Sequence, residues 1–209
     1  MKQLNETLKN QIKEAIQNAE KNSSCEFVAI ITQKSSDYGI YAFFVSALSA
    51  LLIPHLMLWL TDWLTLGDIF RLQIVLFIVL LIVTRLPLIS KYLVPNVVMR
   101  RQATLVVQES FRKFGLYRTT KRRAILFFVS IDEGYVEILT DIGIDAKISP
   151  EKWQPILEKF RHRLHTKSVG EGYLEAIESC GTVLAREFPA EEGDMDELPN
   201  ELIVGHIDH

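Results

Sequence analysis

What limits the folds open to this chain most severely is the stretch Gly39 to Leu60, GIYAFFVSALSALLIPHLMLWL, twenty-two residues without a formal charge. A helix of about 20 apolar residues crosses the hydrocarbon core of a bilayer. In that medium a lone segment satisfies its backbone polar groups only by coiling into a helix. The stretch therefore predicts a first membrane span. Pro54 and His55 interrupt its second half; proline is tolerated in such a helix when neighbouring groups satisfy the freed carbonyl, although it usually kinks the axis. His55 lies close enough to the end of the span to reach either the interface or a partner helix.

A second apolar block is centred on Ile74 to Val83, IVLFIVLLIV, and needs Ile69 to Ile89 for full length, with Arg71 near one end and Arg85 near the other. Arginines so placed snorkel to the headgroups, whereas one at the bilayer centre costs roughly 2.5 to 3.5 kcal/mol on insertion scales. The connection Thr61 to Asp68, TDWLTLGD, has acids and a tryptophan but no basic residue, as an interfacial turn requires. Lys34 precedes the first span, and Arg85, Lys91, Arg100 and Arg101 follow the second. Both termini are thus expected on the cytoplasmic side, which in a bacterial cell means the inner membrane. Met1 to Glu20 alternates charge with apolar character and contains no secretory signal. Two buried core helices of a soluble protein are the competing explanation of the apolar blocks.

On either side lie segments with globular patterning. Leu4, Leu8, Ile12, Ala15, Ile16 and Ala19 recur at helical steps, and Cys25 to Thr32 reads as a buried strand. Ala103, Val107, Phe111 and Phe114 mark another amphipathic helix, with Gly115 placed to end it. Ala124 to Ser130, AILFFVS, is apolar on both faces, as a central strand is; Asp132-Glu133-Gly134 then signals a turn into Tyr135 to Thr140 as an antiparallel return strand. Two further helical stripes run through Trp153 to Leu164 and Tyr173 to Phe188, the first helix beginning near Gln154 because Pro155 suits a first turn. Neither flank can cover a sheet alone, so both are expected to fold together. The expected architecture is an α/β layered sandwich, a small mixed sheet flanked by helices and interrupted by a two-helix transmembrane hairpin. Its parts are residues 1–37, the hairpin 38–89, residues 90–188 and an acidic tail 189–209. Placing the hairpin in the crossover brings the exit of the first strand close to the bilayer.

A net charge of −3 over 209 residues gives no general attraction to nucleic acid. Cys25 and Cys180 match no metal or redox spacing and read as buried thiols. The chain shows no nucleophilic triad, phosphate-binding glycine loop, cysteine metal cluster or dinucleotide fingerprint.

Glu26 in SSCEFVAII, the run from Thr119 into the buried strand at Ser130, Glu133-Gly134 leading into YVEILTDIGID, Trp153 with its helix, and the tail DELPNEL resemble the TPM domain. The resemblance covers most residues outside the apolar blocks and is greatest to bacterial members with a transmembrane insertion. It implies an α/β sandwich. For function it implies either acid-phosphatase chemistry, as assigned to plant lumenal relatives, or a role in complex assembly or receptor regulation. The chain departs from the arrangement in which a signal peptide exports the domain and a later helix anchors it.

If the first two long strands are parallel and the third returns antiparallel, Glu26, Asp141 and Asp145 share one end of the sheet, with Asp132 and Glu133 at the other, roughly 20 Å away at 3.3 Å per residue. Such carboxylates suit a hard cation, calcium or magnesium, able to polarise a phosphoryl group. Arg122 and Arg123 reach the same end, and ion pairs with Glu26 or Asp141 account for the same residues. Glu158, His162 and His165 have helical spacing for a metal, but Lys159, Arg161 and Arg163 among them read as a solvated basic face. Arg112, Lys113, Arg118, Lys121, Arg122 and Arg123 form a basic stretch able to meet anionic headgroups. The acidic tail is expected to be extended, with Glu201 to Val204 able to dock as an edge strand. These features favour a membrane-embedded adaptor that assembles or regulates another membrane protein. The alternatives are a divalent-metal-dependent phosphatase using Glu26, Asp141 and Asp145, and a transporter or channel subunit built by homo-oligomerising hairpins, which the scarcity of polar groups in the spans disfavours.

Overall fold

A computed structural model of the chain describes residues 6–36, 38–60, 65–84, 86, 89, 94–165, 169–191, 197–198 and 202–205. The chain divides into two compact units, one made of Met1–Ser35 with Arg100–His209 and the other of Ser36–Met99.

The first unit is built on one sheet. Helix α1 (Glu6–Lys21) leads into β1 (Glu26–Thr32); after the second unit come α4 (Asn96–Lys113), which enters this unit at Arg100, then β2 (Ala124–Ser130) and β3 (Tyr135–Thr140). A one-turn helix α5 (Ile142–Asp145), α6 (Gln154–His165), α7 (Val169–Glu187) and β4 (Leu202–Val204) complete it. The strand order is β3-β2-β1-β4. β1 and β2 are parallel from Glu26↔Ala124 to Thr32↔Ser130, β3 returns antiparallel to β2, and β4 lies parallel to β1. The sheet is therefore mixed, as its sequence pattern requires.

Every residue of β2 is buried because both faces of the sheet are covered. On one face Phe27, Ile31 and Phe127 pack with Ile12 and Ile16 of α1, Phe160 of α6 and Ile177 of α7. The rings of Phe127, Phe160 and Tyr173 meet edge to face at 4.9–5.9 Å. The Tyr173 hydroxyl donates to the Phe127 carbonyl at 3.1 Å, which satisfies the buried phenol. On the other face Val28, Ile30, Leu126 and Phe128 pack with Val106 and Val107 of α4. Gly115 follows α4 with φ 70°, and Gly134 closes the β2-β3 turn with φ 58°, conformations that glycine adopts without penalty. Cys25 and Cys180 are buried free thiols.

The second unit inverts this pattern. Helices α2 (Gly39–Leu60) and α3 (Leu66–Thr84) pack on each other. Among the described residues of α2, Ala42, Ser46, Ala50 and Pro54, at four-residue steps, are the buried ones. The Ser46 hydroxyl meets that of Thr84 at 3.1 Å, and Phe43 meets Phe77 edge to face. Phe44, Leu48, Leu56, Ile74 and Ile82 are exposed. Both helices are long and apolar enough to cross a membrane.

Against the expected second span of about 69–89, the described helix runs from Leu66 to Thr84, and residues 85, 87–88 and 90–93 lie outside the described residues. At its start Thr65 and Asp68 cap one another. The Asp68 amide donates to Thr65 Oγ1 at 3.3 Å and the Thr65 amide to Asp68 Oδ2 at 3.2 Å, a reciprocal cap that fixes the first turn at Leu66. At the other end, Pro87 disfavours helix in the residue before it. Residues 61–64 of the expected turn, together with Arg85 and Lys91, lie outside the described residues. The helix α2 contains Pro54 without ending there. His55 Nδ1 lies 2.8 Å from the Leu51 carbonyl and 3.2 Å from Gln73 Nε2, so the imidazole faces the partner helix.

Candidate functional site

The polar residues that drew notice in the sequence gather at the end of the sheet where β1 and β2 begin and β3 finishes. Asp141 follows β3, and its amide donates to the Ala124 carbonyl at 2.9 Å. Its carboxylate caps α5 by accepting from the Ile142 amide at 2.9 Å. The same carboxylate receives Arg122 through Nε at 2.6 Å and Nη2 at 2.8 Å, a two-pronged ion pair with the carboxylate buried and the guanidinium partly open to solvent. Arg122 itself has φ 54°, a left-handed conformation that costs energy for a residue with a side chain. Two contacts hold it there: its amide donates to the Thr119 carbonyl at 3.0 Å, and its carbonyl accepts from the Gly143 amide at 2.9 Å. A Cβ on Gly143 would lie 2.5 Å from that carbonyl oxygen, so only glycine permits the approach. Asp145 accepts from the Thr140 hydroxyl. The DIGID stretch is thus one interlocked corner.

Glu26 starts β1 at the same end of the sheet, but its carboxylate accepts the backbone amides of Glu197 at 3.1 Å and Leu198 at 3.2 Å. Because β2 separates β1 from β3, Glu26 and Asp141 stand two strand spacings apart, about 10 Å. The strand directions anticipated from the sequence are correct, and the intervening strand keeps the carboxylates from meeting. Among the described residues no three His, Cys, Asp or Glu side chains gather closely enough to hold a metal ion.

The basic run meets the tail instead. Thr120 donates to the Glu197 carboxylate through both its amide and its hydroxyl, each at 3.2 Å. Glu191 accepts from Lys121 at 3.3 Å and from Arg123 at 2.8 Å. Those two cations hold the Glu191 carboxyl below the usual carboxylate range. Arg123 also donates to Ser24 at 2.7 Å and lies over the Phe188 ring. The pairing of Lys121 and Arg123 with acids of the tail was missed by sequence reasoning, although a basic run in a chain with a strongly acidic end is the signal that could have exposed it.

At the opposite end, Gln33 donates to Asp132, while Glu133 accepts from the Ser35 amide at 2.8 Å and from the Ser130 hydroxyl. The turn acids stand where the strand directions put them. Beside them, Thr104 and Tyr135 share a hydrogen bond of 2.9 Å and Tyr135 donates to Glu137. Burial raises the Tyr135 phenol to about 12 and holds the Glu137 carboxyl above its ordinary range.

Glu158, His162 and His165 all belong to α6, and the His165 side chain lies outside the described residues. Lys159 and Arg163 of that helix pair with Glu175 of α7, which lowers the Glu175 carboxyl and makes part of the basic face a helix-helix clamp. An apolar groove of about 190 Å³ lies beside this clamp, lined by Pro155, Ile156, Phe160 and Ala176.

Residues 90–183 match the family described as the TPM domain. Over that stretch the chain resembles the TPM domain. The matched stretch includes Arg122, Asp141, Gly143 and Asp145, the interlocked corner, whereas Glu26 and the tail acids lie outside it. Among curated proteins none matches the chain. The solved structures include a similar one, the NMR structure of the BA42 protein from the psychrophilic bacterium Bizionia argentinensis, with a TM-score of 0.61 at 18% identity over 97% of this chain and 95% of that one. At this identity the likeness is one of fold.

Proposed function

We propose that this TPM-domain protein is held in a bilayer by α2 and α3, with both termini in the cytoplasm of a bacterial cell. There it acts as an adaptor that assembles or regulates another membrane protein. One observation carries the reading: the helices α2 and α3 turn most of their large apolar side chains outward, Ile69 apart, and bury Ala42, Ser46, Ala50 and Thr84. In water such a surface would be an apolar patch far beyond what soluble monomers expose. In lipid it is the ordinary arrangement, because close packing of small residues and hydroxyl contacts hold membrane helices together. Lys34, Arg100 and Arg101 flank the pair in the chain and suit the cytoplasmic side.

The adaptor role draws support from the polar end of the TPM domain, whose carboxylates and cations are spent on capping, ion pairing and holding an extended segment. Affinity purification from detergent-solubilised membranes is expected to recover a specific membrane-protein partner. Loss of the partner together with metal-dependent turnover of a phosphate ester, abolished in Asp141→Ala, would favour the phosphatase instead. Recovery of the full-length chain in the soluble fraction without detergent would reject the anchoring.

A further inference from the structure

The described residues of the acidic tail meet the β1 edge of the sheet and the loop before β2. β4 adds to the sheet as a parallel edge strand, with Ala29↔Leu202, Ile30↔Ile203 and Ile31↔Val204 in register, and the Gly205 amide donates to the Ile31 carbonyl at 3.3 Å. Side chains alternate across it: Leu202 and Val204 pack into the core on the α1 and α7 face, Ile203 and Leu198 into the core on the α4 face. Upstream, Glu26 accepts two consecutive backbone amides, a contact blind to side-chain identity. Thr120, Lys121 and Arg123 in turn receive carboxylates of Glu197 and Glu191. Backbone pairing along an edge, alternating apolar pockets and a charge-reading loop are together the elements of recognition by strand addition.

Among the described residues the occupant's pairing is short by comparison with the rest of the sheet. β4 is three residues long and all three are half-buried, whereas the buried β1 beneath it pairs with β2 along seven. Elements with few buried apolar contacts open at the lowest free-energy cost. The tail remains in place because its attachment to α7 makes its binding intramolecular, at an effective concentration of order millimolar.

From this we infer that the β1 edge, with Glu26, Thr120, Lys121 and Arg123, is a docking groove for an acidic extended segment of a partner protein, and that the tail is a resident ligand which the partner's segment displaces. The groove names the kind of partner the adaptor reading calls for, and in that respect it rests on that reading. Charge complementarity selects the occupant: the tail from Pro189 to His209 contains no lysine or arginine.

A fluorescently labelled peptide of residues 189–209 serves as the probe, added to the chain in detergent micelles and followed by anisotropy. A chain ending at Ala190 is expected to bind it at least ten-fold more tightly than the full-length chain, in which the tail competes from within. Glu26→Ala or Lys121→Glu in the shortened chain is expected to weaken binding several-fold, and a scrambled peptide to bind poorly. Should the shortened chain fail to fold, the full-length double variant Glu191→Lys, Glu197→Lys releases the tail and carries the same measurement. Equal binding to intact and released chains, or of native and scrambled peptide, would overturn the groove. A full-length chain of doubled mass, reduced to a monomer by the truncation, would assign the groove to a second copy and overturn the foreign partner. If the peptide fails while affinity purification still recovers a partner, the groove falls and the adaptor reading stands.

Discussion

The two units of this chain place their large and small side chains in opposite ways. In the sheet unit the largest apolar side chains, Phe27, Phe127, Phe128 and Tyr173, are inside; in the hairpin unit Ala42, Ser46 and Ala50 are inside, while Phe44, Leu48 and Ile74 face outward. Water drives large apolar groups together, whereas lipid gives them no reason to leave its contact, and helices there associate through close approach and hydroxyl contacts. The position at which a large side chain is indispensable should therefore switch sides between the units.

The sharpest way to break that comparison is to shave one large residue from each. Phe127→Ala removes the ring that touches Phe160 and Tyr173 and is expected to cost about 3–5 kcal/mol, enough to unfold the sheet unit. Leu48→Ala, at an exposed position of α2, is expected to change stability by no more than about 0.5 kcal/mol in detergent. Denaturant unfolding of the solubilised protein checks both. Comparable losses would mean that the outer face of α2 is a protein core after all.

A charge placed on that face probes the solvent directly. Ile78 is exposed near the middle of α3, and Ile78→Arg is expected to cost roughly 2.5 to 3.5 kcal/mol of membrane insertion. The variant should be depleted from the membrane fraction relative to wild type. On a water-facing helix the same change would be nearly silent.

The polar interiors differ too. Asp141→Ala leaves Arg122 without its anchor in a left-handed conformation and removes the cap of α5, an expected loss of about 2 kcal/mol after allowing for the solvent around the guanidinium. Ser46→Ala removes only a hydroxyl contact with Thr84, and about 0.6 kcal/mol is typical of such contacts in membranes. Thermal melts of the two variants side by side should separate them clearly. Equal shifts would mean that the corner is less interlocked than its geometry demands.

How far the sequence disclosed this arrangement depended on whether neighbours in the chain were neighbours in space. AILFFVS and YVEILT declared their strands through local pattern, and Gly115, Gly134 and Pro155 marked ends and turns through local conformation. The sheet end was harder. Glu26 and Asp141 were assigned correctly to one end by strand direction, but strand order decides lateral distance, and β2 stands between them. Hydropathy has no term for the reciprocal cap of Thr65 and Asp68 at the start of α3. Contacts such as Glu26 with the amides of Glu197 and Leu198 join residues far apart in sequence and leave no periodic trace at all.

The smallest expected effect separates the units by pH. The Glu137 carboxyl is partly buried next to Tyr135, and desolvation holds its proton more tightly in the folded chain than in the unfolded one, where a glutamate titrates near 4.5. The folded state thus binds more protons across the interval between the two values. The stability this contributes is complete below the unfolded value and is lost as pH rises through the folded one. Glu137→Gln retains an acceptor for the Tyr135 hydroxyl but cannot ionise. It is expected to flatten the fall in melting temperature across that interval and to gain about 0.5 kcal/mol near neutral pH. Melting curves of both proteins between about pH 4 and pH 8 measure the difference. Parallel curves would show that Glu137 ionises as freely as a surface glutamate.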